Sequence, residues 1–175
     1  MKKIFALLFV LMTTVSASWA RNITDDVYKC MASTSAINYS VNYHAMKIND
    51  MSGFAFVQTR LNMSYDTFAQ TMISELLSSA NEELVSDACK ITNDVSANIV
   101  CDVELGDAND DGGNTAIVRL TYRPTNELID EFKVSTNVGL GDGFRQIFTD
   151  GMRKSGKKLG KKIAKIRKKM AAEKN

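Results

Sequence analysis

A row of apolar residues inside a run of lysines is the strongest constraint that this sequence places on its fold. Met152, Leu159, Ile163, Ile166 and Met170 are spaced by seven, four, three and four residues, so they share one side of an α-helix. The remaining surface of that helix is nearly all lysine and arginine. The spacing therefore predicts a basic amphipathic C-terminal helix within residues 144–175.

Charge is divided sharply along the chain. Residues 151–175 carry eleven basic side chains and one acidic side chain, a net charge of +10. Residues 21–150 carry nine basic and nineteen acidic side chains, a net charge of −10. The whole-chain charge of +2 therefore hides two opposed blocks. A basic block of this density predicts an anionic counterpart, inside the same chain or outside it.

The first 20 residues have the pattern of a secretory signal peptide. Lys2 and Lys3 precede an apolar run over residues 4–12, and Ser18-Trp19-Ala20 is a small–x–small cleavage site, with Val15-Ser16-Ala17 as an alternative. The apolar run is shorter than the ~20 residues of a spanning helix, so a retained membrane anchor is the weaker interpretation. We expect an exported protein, either periplasmic or secreted. Its mature chain should have one domain over residues 21–143, followed by the basic tail.

Turn signals and hydrophobic periodicity predict an α+β domain. Residues 24–31 favour a short helix, residues 37–43 and 54–63 a β-hairpin, and residues 64–84 an amphipathic core helix. Further strands are predicted over residues 85–92, 98–105, 115–123 and 127–135. Short turns make neighbouring strands antiparallel. The expected order is αββαββββα, an antiparallel sheet of about six strands packed by one core helix.

Three cysteines remain after signal removal, in a compartment that favours disulfides. If a hairpin centres on Val95, Cys89 faces Cys101 and the apolar residues of both strands share one face. That register predicts a Cys89–Cys101 disulfide, with Cys30 left as a buried thiol or an intermolecular link. A bond from Cys30 to either of the other two is the alternative.

The sequence contains little that resembles catalytic machinery. His44 is the single histidine, and an alternating strand pattern around it favours an ordinary strand residue over a base or a metal ligand. C-x-x-C, G-x-S-x-G, H-E-x-x-H and Walker patterns are absent. Glycines at positions 139, 141 and 143 indicate a hinge before the basic helix, because their spacing misses that of a dinucleotide loop. We expect no cofactor and favour a non-catalytic protein, with a small exported hydrolase or transferase as the alternative.

An acidic loop is a weak metal candidate. Asp107, Asn109 and Asp111, with Gly112 in the sixth place, match the first half of a calcium loop. The twelfth place is Val118, so the usual glutamate is missing. A polar hairpin turn would have the same composition, and we predict no tight calcium binding here.

Four interpretations of the basic tail stay open. We favour a helix that lies on an anionic membrane surface with its apolar stripe in the acyl boundary. Docking onto an acidic protein, or onto the acidic body of the same chain, comes next. Phosphate-mediated nucleic-acid binding is weakened by the lack of aromatic residues in the tail, and a solvated helix is the plainest alternative. Gly156 and Gly160 destabilise a helix in water; with Ala164 they form a small-xxx-small row, which indicates helix pairing only weakly among so many lysines.

These patterns together predict an envelope-associated binding protein that attaches to an anionic surface through its tail, with no small-molecule substrate inferred. The predicted surface-binding residues are Arg153, Lys154, Lys157, Lys158, Leu159, Lys161, Lys162, Ile163, Lys165, Ile166, Arg167, Lys168, Lys169 and Met170.

Overall fold

A computed structural model of the chain describes residues 23–109, 113–136 and 143–173. The predicted signal peptide over residues 1–20 lies outside the described residues. Within them, the helices are α1 (Asp25–Ser33), α2 (Gly53–Phe56), α3 (Tyr65–Leu84) and α4 (Phe144–Glu173). A π-helical turn, Val57–Leu61, follows α2, and a 3-10 turn, Val85–Asp87, follows α3. The predicted α+β class and the C-terminal helix are confirmed.

Seven strands form one sheet in the described part of the chain. They are β1 (Ala36–Asn42), β2 (Lys47–Ile48), β3 (Met51–Ser52), β4 (Lys90–Thr92), β5 (Ile99–Ala108), β6 (Asn114–Tyr122) and β7 (Glu127–Thr136). Strands β5, β6 and β7 make an antiparallel meander. On the other edge of β5, β1 and β2 pair with it in parallel, β1 also pairs in parallel with β4, and β3 pairs antiparallel with β2.

The sheet is mixed, so the prediction of an antiparallel sheet of about six strands was wrong. β4 pairs with β1 and not with β5, with Ile37 opposite Ile91. The reason is the long helix α3, which lies between β1 and β4 in sequence. A connection through a helix returns the chain in the same direction, whereas a short turn would reverse it.

The predicted strand over residues 54–63 is also wrong, because this segment is helical. Ser52 caps α2, and its Oγ accepts a hydrogen bond from the backbone N–H of Ala55 at 3.3 Å. Phe56 and Val57 are adjacent and both buried, which a two-sided strand with one solvated face does not allow. The hairpin in this region is the short β2–β3 pair just before the helical segment, and its turn residues Asn49 and Asp50 both have positive φ.

The core lies between one face of the sheet and the two long helices. Alternate residues of β5, such as Cys101, Val103 and Leu105, are buried on that face. The opposite face is polar and half-exposed, with Arg119 bridging Glu131 at 2.7 Å and Glu104 at 3.5 Å. Helix α3 fits the prediction for residues 64–84, including its Ser64 cap, which accepts from the Thr67 N–H at 3.1 Å.

Candidate functional site

The apolar stripe of α4 is the inner surface of the domain. Leu159 and Ile163 are 1% and 0% exposed, and Met152, Ile166 and Met170 are also buried in the same hydrophobic cluster as α3 and the sheet. The expectation that Leu159, Ile163, Ile166 and Met170 are available for a membrane is therefore corrected. They are available only if α4 leaves the body.

Two glycines bring α4 into close contact with α3. A Cβ added at Gly156 would lie 2.9 Å from Ser79 Cβ and closer still to the carbonyl oxygen of Leu76. At Gly160 it would lie 2.8 Å from Glu83 Cβ and closer still to the carbonyl oxygen of Ala80. Contacts this short leave no space for a side chain. The small-residue row that the sequence indicated only weakly is thus the packing surface between the two helices.

Arg167 is a second residue whose predicted role is corrected. It is 7% exposed and so does not belong to an outward-facing surface. Its guanidinium donates to the carbonyl oxygens of Thr34 at 2.7 Å and Met31 at 2.9 Å, with longer bonds to those of Ala32 and Asp87. Three of these carbonyls end α1, where an arginine satisfies acceptors that the helix leaves open. Arg167 therefore ties α4 to α1 and to the turn after α3.

The flanks of α4 carry ion pairs to the acidic body. On the flank toward α3, Arg153 donates from Nε to Glu75 at 2.7 Å. On the same flank, Lys161 lies 3.8 Å from Glu83 and Lys168 lies 3.8 Å from Asp87. On the flank toward the sheet, Lys162 lies 3.6 Å from Asp130 and 5.3 Å from the centre of the Phe132 ring. Lys158 donates to the carbonyl of Ser135 on the edge strand β7. These pairs lie near the surface, so each adds little to stability. Together they give the cationic side chains on the two flanks of α4 partners in the acidic body.

The outward side of α4 keeps unpaired charge. Lys154, Lys157 and Lys165 are exposed and have no hydrogen-bond or ion-pair partner among the described residues. With a rise of about 1.5 Å per residue, the row spans roughly 16 Å along the helix. Lys169 also faces outward, in a pair with Glu173 at 3.5 Å. We call the exposed, unpaired row Lys154, Lys157 and Lys165 the lysine face.

A groove beside the N-terminus of α3 is a second site, and the sequence did not predict it. It has a volume of about 570 Å³ and is lined by His44, Phe54, Gln58, Asn62, Met63, Ser64, Tyr65 and Asp66. His44 lies in the turn after β1, so its predicted place in a strand was wrong. The segment that supplies Phe54, Gln58 and Asn62 was predicted as a strand, because its apolar residues alternate with polar ones. The sequence therefore gave no indication that these three side chains line one groove.

The cysteines are free in the structure. The register behind the predicted Cys89–Cys101 bond was wrong, because β1 lies between β4, which begins just after Cys89, and β5, which carries Cys101. Cys101 pairs with Tyr39 on one side and with Leu120 on the other. Complete burial raises the pKa of the Cys101 thiol to about 12. Burial also raises the pKa of Cys89 and of Cys30, so none of the three is an activated nucleophile.

The acidic loop is partly described. Asp107 belongs to β5 and Asn109 follows that strand, and the Asn109 N–H donates to the carbonyl of Gly113, just before β6, at 2.8 Å. Asp111 lies outside the described residues, so the calcium question stays a prediction. Among the residues that the structure describes, no group of three or more His, Cys, Asp or Glu side chains is placed to hold a metal ion.

Comparison with protein-family models, curated proteins and solved structures finds no match to this chain. In the part of the chain that the structure covers, no helix combines the length and the apolar character that crossing a membrane requires.

Proposed function

We propose that this is an exported, non-catalytic binding protein of the cell envelope that attaches to an anionic membrane surface through the lysine face of α4. The observation that carries the proposal is the unpaired row Lys154, Lys157 and Lys165, which points away from the acidic body. The ion pairs on both flanks support it, since they satisfy the inner charges and leave the outer ones for an external partner.

Binding in this form is electrostatic and leaves the fold intact. A lysine near an anionic leaflet contributes roughly 1 kcal/mol, so three unpaired lysines contribute roughly 3 kcal/mol, or a factor of about 150 in affinity. Insertion of Leu159 and Ile163 would first require their removal from the core, at a cost that this attraction does not offset. The folded helix therefore binds at headgroup level.

The test compares two triple variants with equal charge. Lys154→Gln, Lys157→Gln and Lys165→Gln together remove the unpaired row. The control is Lys47→Gln, Lys90→Gln and Lys133→Gln, which neutralises three exposed lysines on β2, β4 and β7. Vesicles of phosphatidylglycerol and phosphatidylcholine are sedimented with each protein at 50 and 150 mM salt.

We expect the first variant to lose roughly 100-fold in affinity and the control to bind like wild type. Equal losses in both variants would mean that binding follows net charge and not the lysine face. If wild type does not bind vesicles but binds duplex DNA with a steep salt dependence, the membrane assignment is wrong and a nucleic-acid partner replaces it.

A further inference from the structure

The groove beside α3 combines an exposed aromatic ring with irregular backbone. Phe54 is 60% exposed, although it lies only two residues from Phe56, which is buried. The π-helical turn Val57–Leu61 follows, and Asn62 then takes a left-handed conformation with φ 49° and ψ 44°. π-Helical turns and left-handed residues are concentrated at functional sites. Here they turn the side chains of Gln58 and Asn62 toward the same groove as Phe54.

The two phenyl-type rings that line the groove belong to a small aromatic cluster with Tyr43. The Phe54 and Tyr65 ring centres are 6.4 Å apart at 65°, and those of Tyr65 and Tyr43 are 5.9 Å apart at 55°. Tyr65 is held in place because its hydroxyl donates to the Tyr43 carbonyl at 2.7 Å. Two of these rings, Phe54 and Tyr65, line the groove, and an aromatic ring attracts a cation that approaches its face.

The charge of the groove agrees with a cationic ligand. Asp66 is the only formally charged side chain among the described residues that line it, and no lysine or arginine does so. Among the residues that the structure describes, the Asp66 carboxylate accepts one long hydrogen bond, 3.4 Å, from the Tyr43 hydroxyl. The amides of Gln58 and Asn62 have no partner among the described residues. An anion would be repelled by Asp66, and a purely apolar ligand would strip water from that carboxylate without replacing it.

We propose that this groove binds a small organic monocation, an ammonium group carried on an apolar body. Asp66 balances the charge, the Phe54 and Tyr65 rings contact the substituents on nitrogen, and Gln58 and Asn62 hydrogen-bond a polar end of the ligand. The volume of about 570 Å³ lies in the range of small-molecule sites. The groove lies on α2 and α3, so this proposal does not depend on the lysine face of α4.

The experiment uses choline and its neutral carbon isostere, 3,3-dimethyl-1-butanol, as probes of the full mature chain. The two molecules have nearly the same shape and differ in charge, so comparing them isolates the cationic contribution. Binding is followed by titration in ¹H–¹⁵N correlation spectra. We expect choline to saturate with a dissociation constant at or below about 1 mM, and to shift the resonances of residues 43–66. The isostere should bind at least about ten-fold more weakly.

Two variants and two matched controls test the residues. Asp66→Asn should weaken choline binding by about ten-fold or more, whereas Asp25→Asn, in the first turn of α1, should not change it. Phe54→Leu keeps an apolar side chain at an exposed position and should weaken binding roughly five-fold. Phe132→Leu removes a half-buried ring elsewhere, on β7, and should have no effect.

Each contrary result overturns the proposal in a distinct way. No saturable choline binding by wild type up to 50 mM would show that the groove takes no such cation. Equal binding of choline and the isostere would make it an apolar site. Unchanged affinity in both Asp66→Asn and Phe54→Leu would place any choline binding elsewhere on the protein. Because Phe54 is exposed, its substitution tests the site even if Asp66→Asn lowers stability.

Discussion

Replacing Gly156 by alanine tests the packing of α4 against α3, because two opposite expectations apply to it. In an isolated helix, Gly→Ala stabilises by about 1 kcal/mol. In the folded protein the new Cβ would lie 2.9 Å from Ser79 Cβ and closer to the Leu76 carbonyl oxygen. The nearest atom belongs to the backbone of α3, so it cannot move aside like the end of a flexible side chain.

The magnitude follows from how far the helices must separate. Relieving the overlap requires a shift of roughly 1 Å, and a gap of that size forfeits a quarter to a half of the dispersion energy of the facing contacts. Overpacking in a well-packed core costs about 1–3 kcal/mol. Taking about 3 kcal/mol for a backbone clash and subtracting about 1 kcal/mol for helix propensity leaves a net loss near 2 kcal/mol. Adding Gly160→Ala should cost less than a second increment, because the same separation relieves both clashes.

The assays are urea unfolding and thermal unfolding followed by far-ultraviolet circular dichroism, with Gly143→Ala as the control. A Cβ at Gly143, just before α4, would meet no atom within 4 Å, so its substitution should change stability by less than about 1 kcal/mol. We expect Gly156→Ala to lower the melting temperature by about 4–8 °C. A rise in stability, as helix propensity alone predicts, would refute the close contact between α3 and α4.

Two further predictions concern buried polar groups. Arg167→Gln removes the donors to the carbonyls of Met31 and Thr34 and should destabilise the protein by about 3 kcal/mol in urea unfolding. Arg167→Lys should recover at most half of that loss, since an ammonium group cannot reproduce the planar set of guanidinium donors. Equal stability of wild type and Arg167→Gln would contradict a stabilising role for these hydrogen bonds. Burial raises the pKa of Cys101 from its ordinary 9.0 to about 12, so above pH 9 the unfolded chain ionises while the folded thiol stays neutral. The contribution of this thiol to the free energy of unfolding is therefore fully present below pH 9 and falls by about 1.4 kcal/mol per pH unit up to pH 12. Cys101→Ala should remove that slope between pH 9 and 10.5. An unchanged slope in the variant would assign the pH dependence to other groups.

The elements that sequence predicts correctly are those whose pattern is long and local. Helix α3 has a broad apolar face at helical spacing, and its Ser64 cap precedes it directly. The meander β5–β6–β7 has alternating residues joined by polar turns. Each of these signals is contained within about 20 residues, so no distant partner is needed to interpret it.

Pairing between distant segments is what the sequence leaves undetermined. Strand β4 has only three residues, too few for alternation to choose between β1 and β5 as its neighbour. The predicted Cys89–Cys101 hairpin satisfied burial equally well, because Cys89 and Ile91 are buried in either arrangement. The parallel alternative depends on where α3 returns the chain, which is a property of the whole fold.

The breadth of the apolar face of α3 did contain a signal for its contact with α4. A helix that covers one sheet face needs a single apolar stripe, but α3 also buries Ser79 and Ala80. These two small residues lie opposite Gly156 and Gly160. Small residues on both helices indicate a close crossing, and considering α3 and α4 together would have predicted one. The groove gave no such signal, since its exposed Phe54 matches the alternation of an ordinary strand.

The apolar stripe and the basic residues of α4 have separate physical roles, although the sequence pattern alone indicates a single amphipathic membrane-binding helix. The apolar side chains pack in the core, where Leu159 and Ile163 are inaccessible to solvent. The flanking cationic side chains form ion pairs with Glu75, Glu83, Asp87 and Asp130. Intramolecular attraction between the −10 body and the +10 tail therefore explains the inner lysines but not Lys154, Lys157 and Lys165. Because those three contribute nothing to the core, their substitution changes the electrostatic surface without changing the packing. A loss of surface binding in that variant can then be assigned to the surface itself.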